Sequence, residues 1–225
     1  MERHFDEELK DLNQDILKMG ILAQEAIYKS IESLKNRNQE LAKSVIENDS
    51  KIDSLELVID EKCVDLIALH QPLAKDLRFI TVGMKLNSEL ERIADIAVDI
   101  SQRVLDLVGK PLLKPLVDIP KLTLVAQNMV KMAVDSFVNG DVELARKAIL
   151  TDGQADELRN EIAKELIEDY MAKDASTAPR AVQLLLIARF LERICDHATN
   201  IAEDVIYMVQ AEVVKHHPEK LKDDM

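Results

Sequence analysis

Apolar residues recur at three-and-four spacing through six long stretches of the chain, the pattern of amphipathic helices. The first stretch runs from Phe5 to Leu34, with Leu9, Leu12, Ile16, Met19, Ala23, Ala26 and Ile27 on one face. Arg37-Asn38 breaks it. The second runs from Glu40 to His70 through Ile52, Leu55, Ile59, Leu66 and Leu69. Pro72, suited to a first helical turn, opens the third, and Leu86, Leu90, Ile93, Ala97, Ile100 and Val104 carry it to Val108. Next comes a linker from Gly109-Lys110-Pro111 through Pro115 to Pro120, since prolines at this density end a helix and stiffen a connection. The fourth helix is expected from Lys121 to Val138, stopped by Asn139-Gly140. Asp141 reads as the N-cap of the fifth, which reaches Met171 with a tight interruption expected near Asp152-Gly153. Ser176-Thr177-Ala178-Pro179 opens the sixth, expected to end at Val214.

Three helices, a proline-rich linker and three more helices suggest a repeat. Leu90-Glu91-Arg92-Ile93-Ala94-Asp95 aligns with Leu191-Glu192-Arg193-Ile194-Cys195-Asp196 and differs only at Ala94 against Cys195. Further on, Asp99 falls on Asn200 and Ile100 on Ile201. Upstream, Asn48-Asp49 to Asp53 mirrors Thr151-Asp152 to Asp156. The halves read as duplicated units, and short connections favour antiparallel neighbours. The expected fold is all-α, two tandem pseudo-symmetric three-helix bundles. The first spans 1–110, the linker 111–120, the second bundle 121–214 and a polar, frayed tail 215–225.

Composition supports helices. Apolar residues make up 47 % of the 225, enough for a core, while five Gly and six Pro are too few for the turns of an all-β chain. The net charge of −13 repels phosphate backbones, so nucleic acid is not expected as a partner, whereas cations or a basic protein patch are favoured. The two cysteines, Cys63 and Cys195, stand alone inside helical patterns and read as small core residues in a reducing compartment. The opening Met1-Glu2-Arg3-His4-Phe5-Asp6-Glu7-Glu8 lacks the features of a secretory leader, and no apolar run has the ~18 residues that span a bilayer. Any membrane association is expected to go through partners.

The candidate chemistry lies in two acidic rows. On a helical wheel, Glu91, Asp95 and Asp99 stack at i, i+4, i+8, opposite the apolar face of the third helix. Glu192, Asp196 and Asn200 do the same on the sixth. Such a row can be an ordinary solvated face. However, like charges at this spacing disfavour a helix slightly, by roughly 0.2–0.5 kcal/mol per pair, and the chain carries them twice in matching places. If the second and third helices run antiparallel, Asp49 and Asp53 come level with Glu91 and Asp95. By the same reflection Asp152 and Asp156 come level with Glu192 and Asp196. All-oxygen sets of this kind suit hard cations such as Mg²⁺, Ca²⁺, Mn²⁺ or ferric iron.

Signs of catalysis are missing. The chain has no Gly-rich phosphate loop, no Gly-x-Ser-x-Gly, no His-Glu-x-x-His and no Glu-x-x-His pair of the di-iron type. His197 beside Asp196 reads as a polar helix residue, and Arg78 and Arg180 as surface arginines or anion contacts. The alternative to a non-enzymatic protein is a metal-dependent hydrolase or ferroxidase-like bundle, in which clustered carboxylates support metal chemistry.

At these residues the sequence resembles the PhoU family of phosphate-specific transport accessory proteins. The resemblance rests on Glu91-Arg92-Ile93-Ala94-Asp95 and Glu192-Arg193-Ile194-Cys195-Asp196. It also rests on the opening His4-Phe5-Asp6-Glu7-Glu8-Leu9 and on Gln71-Pro72-Leu73-Ala74-Lys75-Asp76-Leu77-Arg78. It covers nearly the whole chain, in order and in two copies. It implies a cytoplasmic, non-enzymatic negative regulator of phosphate uptake and of the phosphate-starvation response. Such a protein connects the ATPase subunit of a phosphate ABC transporter with a membrane sensor histidine kinase. It also implies that the acidic rows can hold iron or another hard metal. Asn200 stands where the second row would have its third acid, so that site is expected to bind more weakly. A homodimer is the expected assembly.

Overall fold

A computed structural model of the chain describes residues 2–215, and the expected frayed tail falls almost wholly outside that range. The element order is α1 (Glu2–Asn36), α2 (Gln39–His70), α3 (Ala74–Val108), α4 (Asp118–Asn139), α5 (Val142–Glu165) and α6 (Ala178–Gln210). A π-helical turn, Leu166–Met171, and a 3₁₀ turn, Ala175–Thr177, lie between α5 and α6. No strand occurs among the described residues. α1, α2 and α3 pack together as one bundle, and α4, α5 and α6 as the other.

The helix ends follow from local chemistry. Asn38 accepts from the Leu41 amide at 3.0 Å and Asp141 from the Leu144 amide at 3.0 Å, so each covers an otherwise unpaired N–H of a first turn. Gly140 takes φ +63° and ends α4, a backbone shape that glycine adopts without strain. Several expected boundaries move. α3 begins at Ala74 rather than Pro72, because Gln71 adopts a left-handed cap that turns the chain. α4 begins at Asp118 and takes Pro120 into its first turn, where a missing N–H costs nothing. α6 stops at Gln210, where Ala211 turns left-handed, four residues short of the expected Val214. The interruption expected near Asp152-Gly153 is absent. Gly153 lies exposed in an unbroken helix, and the irregularity falls instead at the π turn.

The two bundles share one continuous core, joined where α1 meets α4 and α3 meets α6. Phe137 of α4 stacks on Phe79 of α3 with ring centroids 5.0 Å apart. At Gly20 of α1 a side chain is excluded, since a methyl there would lie 2.9 Å from both γ-carbons of Val134. α3 and α6 run antiparallel past each other. Arg78 donates to the Met208 carbonyl at 3.1 Å, and Lys85 pairs with Asp204 at 2.9 Å. The linker is bound to the bundles on both sides. Arg37 donates to the Val108 and Lys110 carbonyls, Arg180 to that of Pro111 at 3.3 Å, and buried Lys114 pairs with Glu165. Arg78 and Arg180 thus serve backbone carbonyls inside the fold.

Candidate functional site

The antiparallel α2–α3 pair brings the first acidic row together as expected. Glu91 and Asp95 on α3 face Asp49 and Asp53 on α2, Asp99 adds its charge beside Asp95, and Glu56 joins them one turn further along α2. Apolar neighbours on α3, including Leu90, Ile93, Ala94 and Ala97, are buried beneath the row. The crowding is visible in proton affinity. Partial burial, then the charges of Asp95, Glu56, Asp53 and Asp49, push Glu91 up to about 7. Partial burial, then Asp53 and Asp95, push Asp49 up to about 6. Asp95 is also raised, by burial and by Asp53 and Asp99, while a hydrogen bond with Glu91 works the other way. Glu56 is raised by burial, Asp60, Asp53 and Asp95.

The second row assembles on α5 and α6 but differs in charge. Burial, then Asp196 and Asp156, push Asp152 up to about 6. Asp196 is raised by burial, Glu192 and Asp156, and lowered by His197 and Arg193. A guanidinium enters this row from within the fold. Arg159 reaches Glu192 at 3.1 Å and Asp156 at 3.5 Å. In the register that aligns Asp49 with Asp152, Arg159 stands where the first row has Glu56, and Ala163 where α2 has Asp60. The first row therefore lacks an internal cation that the second possesses. Asn200 does not join its row either. It donates to Glu89 of α3 at 3.3 Å, and His197 meets the same carboxylate at 2.5 Å. Burial works to raise Glu89, but His197, Asn200 and Arg92 outweigh it and hold it below its ordinary value.

Glu56 and Arg159 are the members that the helical wheel leaves out. The repeat register, extended past the matching aspartates, reaches both. Cys63 and Cys195 are buried and unpaired, as expected of core thiols. Burial and Asp60 push Cys63 up to about 12, with Lys62 opposing, and burial with Asp152 raises Cys195 further. Neither is poised as a nucleophile.

The donors of the first row fit a hard cation: oxygen ligands only, crowded, and short of positive charge. Among the described residues, no three His, Cys, Asp or Glu side chains converge on one point where an ion would be held. Binding would therefore require these surface side chains to change rotamer. The second row fits less well, because Arg159 already answers its charge. No helix among the described residues is long and apolar enough to cross a membrane.

Tandem three-helix bundles with an acidic row on each define a class of helical domain. The PhoU domain profile matches the chain twice, over residues 16–104 and 119–205. The chain is 42 % identical to the phosphate-specific transport system accessory protein PhoU homolog of Aquifex aeolicus, over 96 % of this chain and 98 % of that one. Its fold is similar to the crystal structure of PhoU from Pseudomonas aeruginosa. The TM-score is 0.88 at 34 % identity, over 92 % of this chain and 100 % of that one. It is also similar to the phosphate transport system regulatory protein PhoU from Streptococcus pneumoniae. There the TM-score is 0.86 at 30 % identity, over 93 % and 99 %. The chain belongs to the PhoU family.

Proposed function

We propose that the chain is a cytoplasmic, non-enzymatic regulator of phosphate uptake. In this reading it binds the ATPase subunit of a phosphate ABC transporter and a sensor histidine kinase, and keeps starvation signalling low when phosphate is plentiful. The observation that carries the reading is end-to-end similarity, through both halves, to proteins named as accessory or regulatory in phosphate transport. The architecture supports it. Apolar side chains fill the interior, and the acidic rows lie at the surface, where they can meet ions or other proteins. In the first row Glu91, Asp95, Asp99, Asp49 and Asp53 would hold a hard metal ion, iron among them. Such an ion would supply positive charge and fix these side chains for docking.

Binding can be measured with purified components. The immobilised chain should capture the transporter ATPase subunit and the cytoplasmic part of the kinase at micromolar concentrations or below. Capture of neither, by protein of native helical content, would sink the adaptor reading.

A further inference from the structure

α2 carries four large exposed apolar side chains. Leu57 is 67 % exposed, Val58 52 %, Val64 54 % and Leu69 74 %; Val58 and Leu69 lie on the side toward α1, and Leu57 and Val64 lie further round the helix, past Glu61 and Asp65. Exposed apolar side chains clustered along one helix mark an interaction surface more often than scattered ones do. Val58 and Leu69 border a groove of about 500 Å³ between α2 and α1. Val58, Leu66 and Leu69 give this groove an apolar floor, while Glu8, Asp11, Glu61 and Asp65 line its walls. The lysine at its edge, Lys62, is turned to Asp15, and His70 is engaged by Glu8 at 2.7 Å. The groove is therefore apolar below and acidic above.

The second bundle does not repeat this surface. In the register that aligns the acidic rows, Leu57, Val58 and Leu69 give way to Asn160, Glu161 and Ala172, and of the four only Val64 keeps a large apolar counterpart, Ile167. The groove-side pair Val58 and Leu69 thus belongs to the first half alone, so the repeated fold does not require it.

We propose that the α1–α2 groove and the adjoining face of α2 dock an amphipathic basic helix of a partner protein. Its apolar side chains would lie on Val58, Leu66 and Leu69, and its Lys or Arg side chains would reach Glu8, Asp11, Glu61 and Asp65. Charge complementarity selects this occupant. A second copy of the chain would bring the same acidic rim against itself. An anionic lipid surface would be repelled by it. The span from Val58 to Leu69 covers about 16 Å at 1.5 Å per residue, so a partner helix of about three turns fills it. The assignment rests on the chemistry of this surface and is independent of the acidic rows on α3 and α6.

A test uses the full chain and a labelled peptide of about 14 residues. Leu is set at helical three-and-four spacing and Lys elsewhere, and a scrambled peptide has the same composition. Fluorescence anisotropy should give an affinity at least about tenfold tighter for the patterned peptide. Val58→Glu with Leu69→Glu, and separately Glu61→Lys with Asp65→Lys, should each weaken binding by about tenfold or more. Glu157→Lys with Glu161→Lys on α5 should leave it unchanged. All substituted positions are exposed, and circular dichroism checks that each variant keeps its helices. Equal binding of the scrambled peptide, or groove variants that bind like the parent, would overturn the proposal. Two other results would also overturn it. One is a dimer that Val58→Glu with Leu69→Glu converts to monomer in sedimentation, which makes the groove face a self-contact. The other is phosphatidylcholine vesicles bound by the parent but not by that variant, which makes it a lipid surface.

Discussion

Phe137→Ala is expected to destabilise the protein by about 3–5 kcal/mol, the ordinary range for removing a buried phenylalanine. The ring is 1 % exposed and stacks on Phe79 of the other bundle. It lies in the crowded region around Gly83, where a methyl on that glycine would lie 3.1 Å from Ile16, 3.7 Å from Phe137 and 3.9 Å from Leu12. The chain has few aromatic residues, only four Phe and three Tyr, so no neighbouring ring can replace this contact. The loss falls on the joint between the bundles. Urea unfolding followed by circular dichroism should show a lower midpoint, or two transitions where the parent has one. A midpoint within the error of the parent would mean that the bundles are held together elsewhere.

Neutralising the first acidic row is expected to stabilise the metal-free protein. The sign follows from the raised proton affinities. Glu91 binds its proton up to about 7 in the folded chain, against an ordinary 4.5. Asp49 and Asp152 do so up to about 6, against 3.8. Between these values the folded state holds protons that the unfolded state has released, so stability falls as pH rises from about 4 to about 7. Glu91→Gln with Asp49→Asn removes two of these groups. Its melting temperature should match the parent's near pH 4 and exceed it by several degrees near pH 7.5, with the gap opening across that window. Manganese or ferric iron should then raise the parent's melting temperature, a gain the variant loses in large part. A variant less stable than the parent at every pH would show that these acids serve the fold. A shift with metal that is equal in both would remove the ion from the first row.

Much of this architecture is legible in the sequence because helical periodicity is a local signal. Asn38, Gly140 and Asp141 mark their helix ends in one dimension, and the duplicated Leu-Glu-Arg-Ile segment exposes the repeat. The first acidic row is legible for the same reason, since antiparallel helices joined by a short turn bring fixed positions level. What the sequence hides is decided between elements. The contact of Phe137 with Phe79, the exclusion of side chains at Gly20 and the capture of Asn200 by Glu89 depend on how two bundles meet, and no local spacing encodes that. The π turn at Leu166–Met171 likewise carries no breaker residue. Gly153, which has the look of one, is tolerated in an exposed helix. Arg159 lies within reach of the repeat but outside the matching aspartates, and it changes the second row from an echo of the first into a partly neutralised copy.

The regulatory reading is tested most directly in the cell. The gene is deleted in its own host and a promoter of the phosphate-starvation response is fused to a reporter. In phosphate-rich medium the reporter should switch on in the deletion strain and return to its low level when the intact chain is restored. A reporter that stays low without the chain would contradict the account.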